Sequence, residues 1–207
     1  MTYSTDTDET NFLLKRISAG SSSALEHILE QHRDYLKRVV QLKMEPALAA
    51  RVDASDIVQE ALVVVAQRID DFIQRRPASL RIWMRGMVLQ QLIDHRRRHV
   101  TAKMRSVARE VELTDVSSMA IARNLLTSTP STFLRRAELQ ARVRNLIAQL
   151  CEKDREILAL RHAEGLSTTE VADLLDVDPS TARKRHGRAL RRLRQLFAEN
   201  NISFSGT

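Results

Sequence analysis

Apolar residues recur every three or four positions along most of this chain, and helix start signals precede several of these stretches. Asp53, for example, is followed at helical spacing by Ile57, Ala61, Val64, Val65 and Ile69. Glycine occurs only five times and aromatic residues make up 4% of the chain, a composition that suits helices better than sheets. The sequence therefore predicts an all-α protein.

A capping box of Ser23 and Glu26 is the predicted start of one long helix in the first half of the chain. We expect this helix to end near Met44, because Pro46 restricts the backbone of the residue before it. A shorter helix should precede it and end at Gly20.

Two further helices are predicted before residue 100. Asp53 should be the N-cap of the first, with Asp56 in its first turn, where carboxylates suit the helix dipole. The second should start at Ser79 and end in the basic run DHRRRH, residues 94–99. Trp83 lies on its apolar stripe, which favours a core role over stacking on a ligand.

The helical pattern fades between residues 106 and 133, where serine and threonine are frequent and Pro130 interrupts the chain. We interpret this stretch as a flexible linker. It divides the chain into two helical units, residues 8–105 and 134–199.

The second unit contains the pattern of a helix-turn-helix. A helix over residues 154–164 should stop at Gly165, and Ser167 with Glu170 forms a capping box for a short helix. A turn follows, with Asp176 where glycine is usual, and Pro179 occupies the first position of the final helix.

The final helix is strongly basic, within a chain of net charge +7. It has no acidic residue between Asp178 and Glu199, a pattern that suits a phosphate backbone. A solvated basic face on a purely structural helix is the alternative. The second helix of such a motif lies in the major groove of DNA, with its N-terminal residues at the base edges.

Several classes of protein are disfavoured. Cys151 is the only cysteine, which excludes an intramolecular disulfide, and we expect it to be a small core residue. The N-terminus is polar and acidic, unlike a signal peptide, and the apolar run at residues 61–66 is too short to span a bilayer. No membrane partner is expected, and the cytoplasm is the natural compartment.

The order of these motifs resembles the extracytoplasmic-function (ECF) type of the sigma-70 family, which retains only regions two and four. DASDIVQEALVVVAQRIDDF resembles region 2.2, and LRIWMRGMVLQQLIDHRRR resembles regions 2.3 and 2.4, with Gln90 where an Asn is usual. CEKDREILALRHAEGLSTTEVADLL and the basic helix are similar to region four.

The resemblance implies three sets of contact residues. Those that dock on the β′ clamp of core RNA polymerase would be Asp53, Asp56, Ile57, Gln59 and Glu60. Those at the −10 promoter element would be Arg85, Gln90, Asp94, His95, Arg96, Arg97 and Arg98. Those at the −35 element would be Ser180, Thr181, Arg183, Lys184, Arg185 and Arg188.

The same resemblance implies partners rather than catalysis. Core polymerase, at its β′ clamp and β flap, and promoter DNA are the expected partners, and an anti-sigma factor is left open. No cofactor, metal or catalytic residue is expected.

Two alternatives remain at this point. Asp53, Asp56 and Glu60 share one helix face, as the ligands of a nuclease metal site would, but no further acid or histidine completes the shell. A stand-alone helix-turn-helix regulator is the more serious alternative. Against it, the N-terminal half carries a basic tract that a dimerisation domain would not need.

Overall fold

The structure is a computed structural model that describes residues 6–101 and 133–202. Helices account for almost all of these residues, and no strand occurs among them, so the all-α prediction is confirmed. The chain forms two compact units, Met1–Val111 and Glu112–Thr207. The predicted linker at 106–133 lies, except for its last residue, outside the described residues.

Residues 6–101 of the N-terminal unit form four longer helices and one short turn of helix. They are α1 (Asp8–Ser18), α2 (Ser22–Lys43), α3 (Pro46–Ala49), α4 (Ala54–Arg75) and α5 (Leu80–Thr101). The predicted cap at Asp53 is confirmed, since its side chain accepts a hydrogen bond from the Ser55 amide. Helix α5 begins one residue after the predicted start at Ser79, and the Ser79 hydroxyl accepts a hydrogen bond from the Ile82 amide.

The predicted cap of α2 is wrong by two residues. Ser21, not Ser23, is the N-cap, and its hydroxyl accepts a hydrogen bond from the Ala24 amide at 3.4 Å. Ser23 lies inside the first turn of the helix, so it forms no capping box with Glu26. Gly20, with φ of 86°, allows the sharp turn between α1 and α2 that brings Ser21 into place.

Helix α4 packs against both α2 and α5 and contributes most to the core. Ile57, Val65 and Phe72 are buried along it, and Trp83 of α5 lies against Phe72 with ring centroids 4.8 Å apart. Trp83 is itself half-buried, so the core role predicted for it holds only for the side that faces Phe72. The predicted stripe is wrong at Val64, which is half-buried, because α4 turns Leu62 inward instead.

Asp6 ties the start of the chain to α5. Its Oδ1 accepts a hydrogen bond from the Leu80 amide at 2.8 Å, and its Oδ2 lies 3.3 Å from the Arg76 guanidinium. Arg76 ends α4 in the left-handed conformation, with φ of 42°, which turns the chain sharply toward α5. Asp6 therefore stabilises the turn between α4 and α5, although it lies far from that turn in the sequence.

The C-terminal unit contains α6 (Phe133–Ala148), α7 (Glu152–Leu158), a π-helical turn (Ala159–Ala163), α8 (Thr168–Leu174) and α9 (Pro179–Glu199). The single helix predicted over 154–164 is thus divided, with its last turn widened into π-helix. Gly165 follows it with φ of 71°, as its predicted capping role requires.

Cys151 is not a core residue, contrary to expectation. It is exposed as the N-cap of α7. The buried positions around it are Leu150, one residue earlier, and Ile157, inside α7. No described helix is both long enough and apolar enough to cross a membrane.

Candidate nucleic-acid interface

The turn between α8 and α9 has the geometry that the sequence predicts. Ser167 and Glu170 form a reciprocal capping box: the Ser167 hydroxyl accepts from the Glu170 amide at 3.1 Å, and the Glu170 carboxylate accepts from the Ser167 amide at 2.7 Å. Asp176 takes the left-handed conformation with φ of 50°, and Pro179 is the first residue of α9. The two helices therefore meet at a short, fixed turn.

Helix α9, which we call the recognition helix, has two distinct faces. Ala182, Ala189 and Leu193 are buried on one face, together with Phe197 near the C-terminus. The residues predicted to contact the −35 element lie at the N-terminal end: Ser180, Arg183, Lys184 and Arg188 are exposed, and Thr181 and Arg185 are half-buried. A row of exposed cations is therefore available to a polyanion at this end of the helix.

A hydrogen bond between two histidines joins the recognition helix to the π-helical turn. The Nε2 atoms of His162 and His186 lie 2.9 Å apart, so one ring donates a hydrogen bond to the other. Burial lowers the pKa of both rings, and for His186 to about 4, with the nearby charges of His162 and Arg161 adding to the effect. Both rings are therefore neutral near pH 7. No local pattern in the sequence predicts this pair.

Arg192 of the recognition helix has a structural role. It donates a hydrogen bond to Asp154, which is buried in the first turn of α7. This carboxylate raises the pKa of Arg192. Arg192 consequently neutralises a buried acid, while Arg188, one turn earlier, is exposed.

In the N-terminal unit, four of the five residues predicted to dock on polymerase share the exposed side of α4. We call Asp53, Asp56, Gln59 and Glu60 the docking face. The hydrogen bond from the Ser55 amide lowers the pKa of Asp53, so this carboxylate is charged. Ile57 differs from the prediction. It lies on the inward side of α4, where its side chain is fully buried and supports the docking face from the core.

Sequence reasoning missed an apolar part of the same surface. Val63 is 53% exposed, and with Leu62 and Ala66 it borders a groove between α4 and the N-terminal half of α2. A signal for it exists in the run of apolar residues from Ala61 to Ala66, since a helix cannot turn all of them toward one core.

The predicted −10 contact residues lie along α5 between Arg85 and Arg98. Gln90 is exposed and donates a hydrogen bond to Asp94 at 3.2 Å, and Arg85 is half-buried. His95 differs from the prediction: it is 7% exposed and its Nε2 lies 2.9 Å from Glu60 Oε2 of α4. The side chain of His99, the last residue of the basic run, lies outside the described part of the chain.

Arg96, Arg97 and Arg98, which we call the arginine tract, are exposed. Arg96 forms an ion pair with Glu45 at 2.9 Å, and Arg98 lies 3.9 Å from Glu60. Glu45, which no sequence pattern marked, is the N-cap of α3 but makes no capping hydrogen bond with its side chain. Within residues 6–101 and 133–202, no three His, Cys, Asp or Glu side chains are arranged to hold a metal ion.

These features define a helical protein with one helix-turn-helix DNA-binding unit and a second helical unit that carries its own basic tract. Residues 28–101 match the family model of sigma-70 region 2, and residues 140–193 match that of sigma-70 region 4. The chain belongs to the sigma-70 family of RNA polymerase sigma factors, in its ECF group. The predicted function is thereby confirmed: a factor that binds core RNA polymerase and directs it to promoters.

The chain is also similar to individual proteins. The chain is 24% identical to the ECF RNA polymerase sigma-E factor of Haemophilus influenzae over 86% of this chain and 89% of that protein. CnrH, solved in complex with the cytosolic domain of CnrY, has a similar fold, with a TM-score of 0.52, 22% identity and coverage of 93% and 99% of the two chains. The RsbN–BldN complex gives a TM-score of 0.34 at 17% identity, covering 88% of this chain and 98% of that one.

Proposed function

We propose that this sigma factor docks on the β′ clamp of core polymerase through the docking face of α4. Its three carboxylates and one amide are exposed, whereas Ile57 and Val58 between them are buried. A surface of this kind attracts a basic partner and aligns it by charge. Val63, one turn beyond Gln59, adds an exposed apolar contact.

We further propose that α5 contacts the −10 element between Arg85 and Arg98. Opening DNA costs a few kcal/mol per disrupted step, so a factor that captures the unpaired strand must offset that cost. The arginine tract would hold phosphates, while Arg85, Gln90 and Asp94 line the path of the strand. His95 is buried against Glu60, so we assign it a supporting role under this surface rather than a direct contact with DNA.

For the −35 element, we propose that the recognition helix enters the major groove with its N-terminal end. Ser180, Thr181, Lys184 and Arg185 would contact bases, since arginine can grip guanine through two hydrogen bonds. Arg183 and Arg188 are exposed on the same end of the helix and would contact phosphates on either side of the groove.

The two units have separate tasks in this proposal. We propose that residues 8–105 bind polymerase and the −10 element, residues 134–199 bind the −35 element, and residues 106–133 link them. The factor itself would perform no catalysis and would act in the cytoplasm with polymerase. CnrH was solved with a protein partner, and we propose that a regulatory protein likewise binds this chain.

The observation that carries this proposal is the pair of oppositely charged surfaces, one acidic on α4 and one basic on the recognition helix. The test is capture of bacterial core polymerase by the purified chain, followed by run-off transcription on genomic fragments. We expect stable association and promoter-specific transcripts that neither component produces alone. If the chain ignored core polymerase but bound duplex DNA tightly as a dimer, a stand-alone regulator would be the correct assignment.

A further inference from the structure

Four glycines lie in the described part of the chain, and they fall into two kinds. Gly20 and Gly165 have positive φ and lie in turns that follow helices, where a residue without a Cβ atom is favoured. Gly86 and Gly187 instead lie inside α5 and the recognition helix. Their backbone conformation does not call for glycine, and glycine destabilises a helix interior relative to alanine.

Packing does not call for a glycine at position 187 either. Apart from its chain neighbours and the backbone of its own helix, a Cβ atom at Gly187 would have no heavy atom of the described residues within 4 Å. Alanine would therefore fit there and should stabilise the helix. A glycine that the chain could replace at a gain in stability points to a constraint from a binding partner.

Gly187 lies among exposed cations on the outward side of the recognition helix. Arg183 precedes it by one helical turn, Arg188 follows it directly, and Arg191 follows it by one turn, and all three are exposed. The Arg191 Nε donates a hydrogen bond to the Gly187 carbonyl at 3.3 Å, which holds a guanidinium beside the glycine. The terminal nitrogens of this guanidinium can also donate to an acceptor. Position 187 thus combines positive charge with space where a side chain would otherwise lie.

We propose that a phosphate of promoter DNA lies against the backbone of the recognition helix at Gly187, between Arg183 and Arg191. A side chain at position 187 would occupy the place of this phosphate and hold the helix away from the DNA backbone. A phosphate is favoured over a base because cations surround the position and because bases are read by the N-terminal residues of such a helix. This inference rests on the groove docking proposed for the recognition helix.

The first measurement is the affinity of the full-length chain for two fluorescein-labelled duplexes at about 50 mM salt, where phosphate contacts are weakly screened. One duplex carries the −35 element of a promoter found by run-off transcription, and the other has a random sequence. Gly187→Ala should bind both duplexes about threefold to tenfold more weakly than wild type, because every duplex has the same phosphates. Gly187→Leu should lose more, although neither variant changes the charge of the chain.

The second measurement is thermal stability, which distinguishes a DNA contact from damage to the fold. Gly187→Ala should raise the melting temperature of the C-terminal unit by about 3–8 °C, because alanine favours the helix. Affinity and stability should therefore change in opposite directions, whereas a misfolded variant would lose both. Ala198→Leu is the matched control for Gly187→Leu. It enlarges an exposed residue of the same helix about three turns further along and should leave both affinities unchanged.

Arg191→Ala tests whether this arginine and Gly187 serve the same phosphate. Alone, it should weaken binding to both duplexes by about threefold to tenfold. Combined with Gly187→Ala, it should cost less than the product of the two single factors, because a shared contact can be lost only once. A double variant that loses the full product would overturn the shared phosphate.

Arg188→Ala, a variant that the groove docking itself predicts to bind weakly, separates this inference from the proposed function. If Arg188→Ala weakens binding while Gly187→Ala binds as well as wild type, the phosphate site is overturned and the groove docking stands. A loss confined to the −35 duplex would also overturn it, because that result assigns position 187 to a base. If neither variant weakens binding, the groove docking and the phosphate site both fall.

Discussion

Asp6 shows how much the N-terminal unit depends on a single side chain. Its side chain is 4% exposed and joins the Leu80 amide to the Arg76 guanidinium. Asp6→Ala removes a helix cap and one partner of a charged group, so we expect a loss of about 1–3 kcal/mol in the free energy of unfolding. Trp83 is the only tryptophan and lies in this unit, so its fluorescence in a urea titration reports the change. Asp70→Ala, at an exposed position of α4, should leave the midpoint within experimental error.

The histidine pair predicts that acid weakens the C-terminal unit. The pKa of His186 is about 4 in the folded chain and near its ordinary 6.5 when unfolded, so the unfolded chain takes up a proton first as the pH falls. The stabilisation is complete above about pH 6.5 and is lost between that value and about pH 4. Thermal melts followed by circular dichroism at pH 7 and pH 4.5 check this.

His186→Gln supplies the control for that measurement, because a glutamine does not titrate in this range. The loss of thermal stability between pH 7 and pH 4.5 should be smaller in the variant than in the wild-type chain. Trp83 fluorescence reports the other unit in the same samples and serves as an internal reference. Equal losses in variant and wild type would remove His186 as the cause.

At the scale of helices, local signals predicted the elements well where a side chain acts within its own turn. The caps at Asp53 and at Ser167 with Glu170 are of this kind, and so is the turn at Asp176. The sequence pattern favours Ser23 as the N-cap of α2, whereas the structure has Ser21 there. Both serines precede the same apolar stripe, and only the turn at Gly20 decides between them.

The features that the sequence could not predict join residues that are far apart along the chain. Glu60 with His95 and His162 with His186 are paired by helix packing, and no spacing rule relates their positions. Ile57 was assigned to the docking face from its place in a motif, whereas its burial follows from how α4 rotates against α2 and α5. Packing therefore determines which motif residues reach the surface.

The recognition helix offers a matched pair of arginines with different tasks. Arg188 is exposed on the proposed DNA-binding side, whereas Arg192 neutralises the buried Asp154. We expect Arg188→Ala to weaken binding to a −35 duplex by about 1 kcal/mol and to lower the dependence on salt, with thermal stability unchanged. Arg192→Ala should instead lower the melting temperature. Anisotropy titrations at several salt concentrations, with melts of both variants, check the contrast; a destabilised Arg188→Ala protein would contradict it.

For the whole molecule, docking and DNA binding should be separable by mutation. Asp56→Arg reverses a charge in the centre of the docking face, and we expect core polymerase binding to weaken by about tenfold or more, because like charges then face each other. Asp70→Arg makes the same change on the exposed side of α4 beyond that face and should bind normally. Competition for core polymerase against a labelled wild-type chain measures both. Unchanged affinity of Asp56→Arg would remove the docking proposal.

The opposite separation should follow from the arginine tract. Replacing Arg96, Arg97 and Arg98 by glutamate leaves most of the docking face unchanged, so core binding should stay within about threefold of wild type. Promoter opening should fall by about a hundredfold or more, because three phosphate contacts are lost and replaced by repulsion. Permanganate reactivity of thymines at the −10 element measures opening directly, and a template already unpaired there should restore part of the activity, since the cost of opening has been removed. Trp83 fluorescence verifies that the unit remains folded. Full transcription by this folded variant on a duplex promoter would show that the tract does not hold the opened strand.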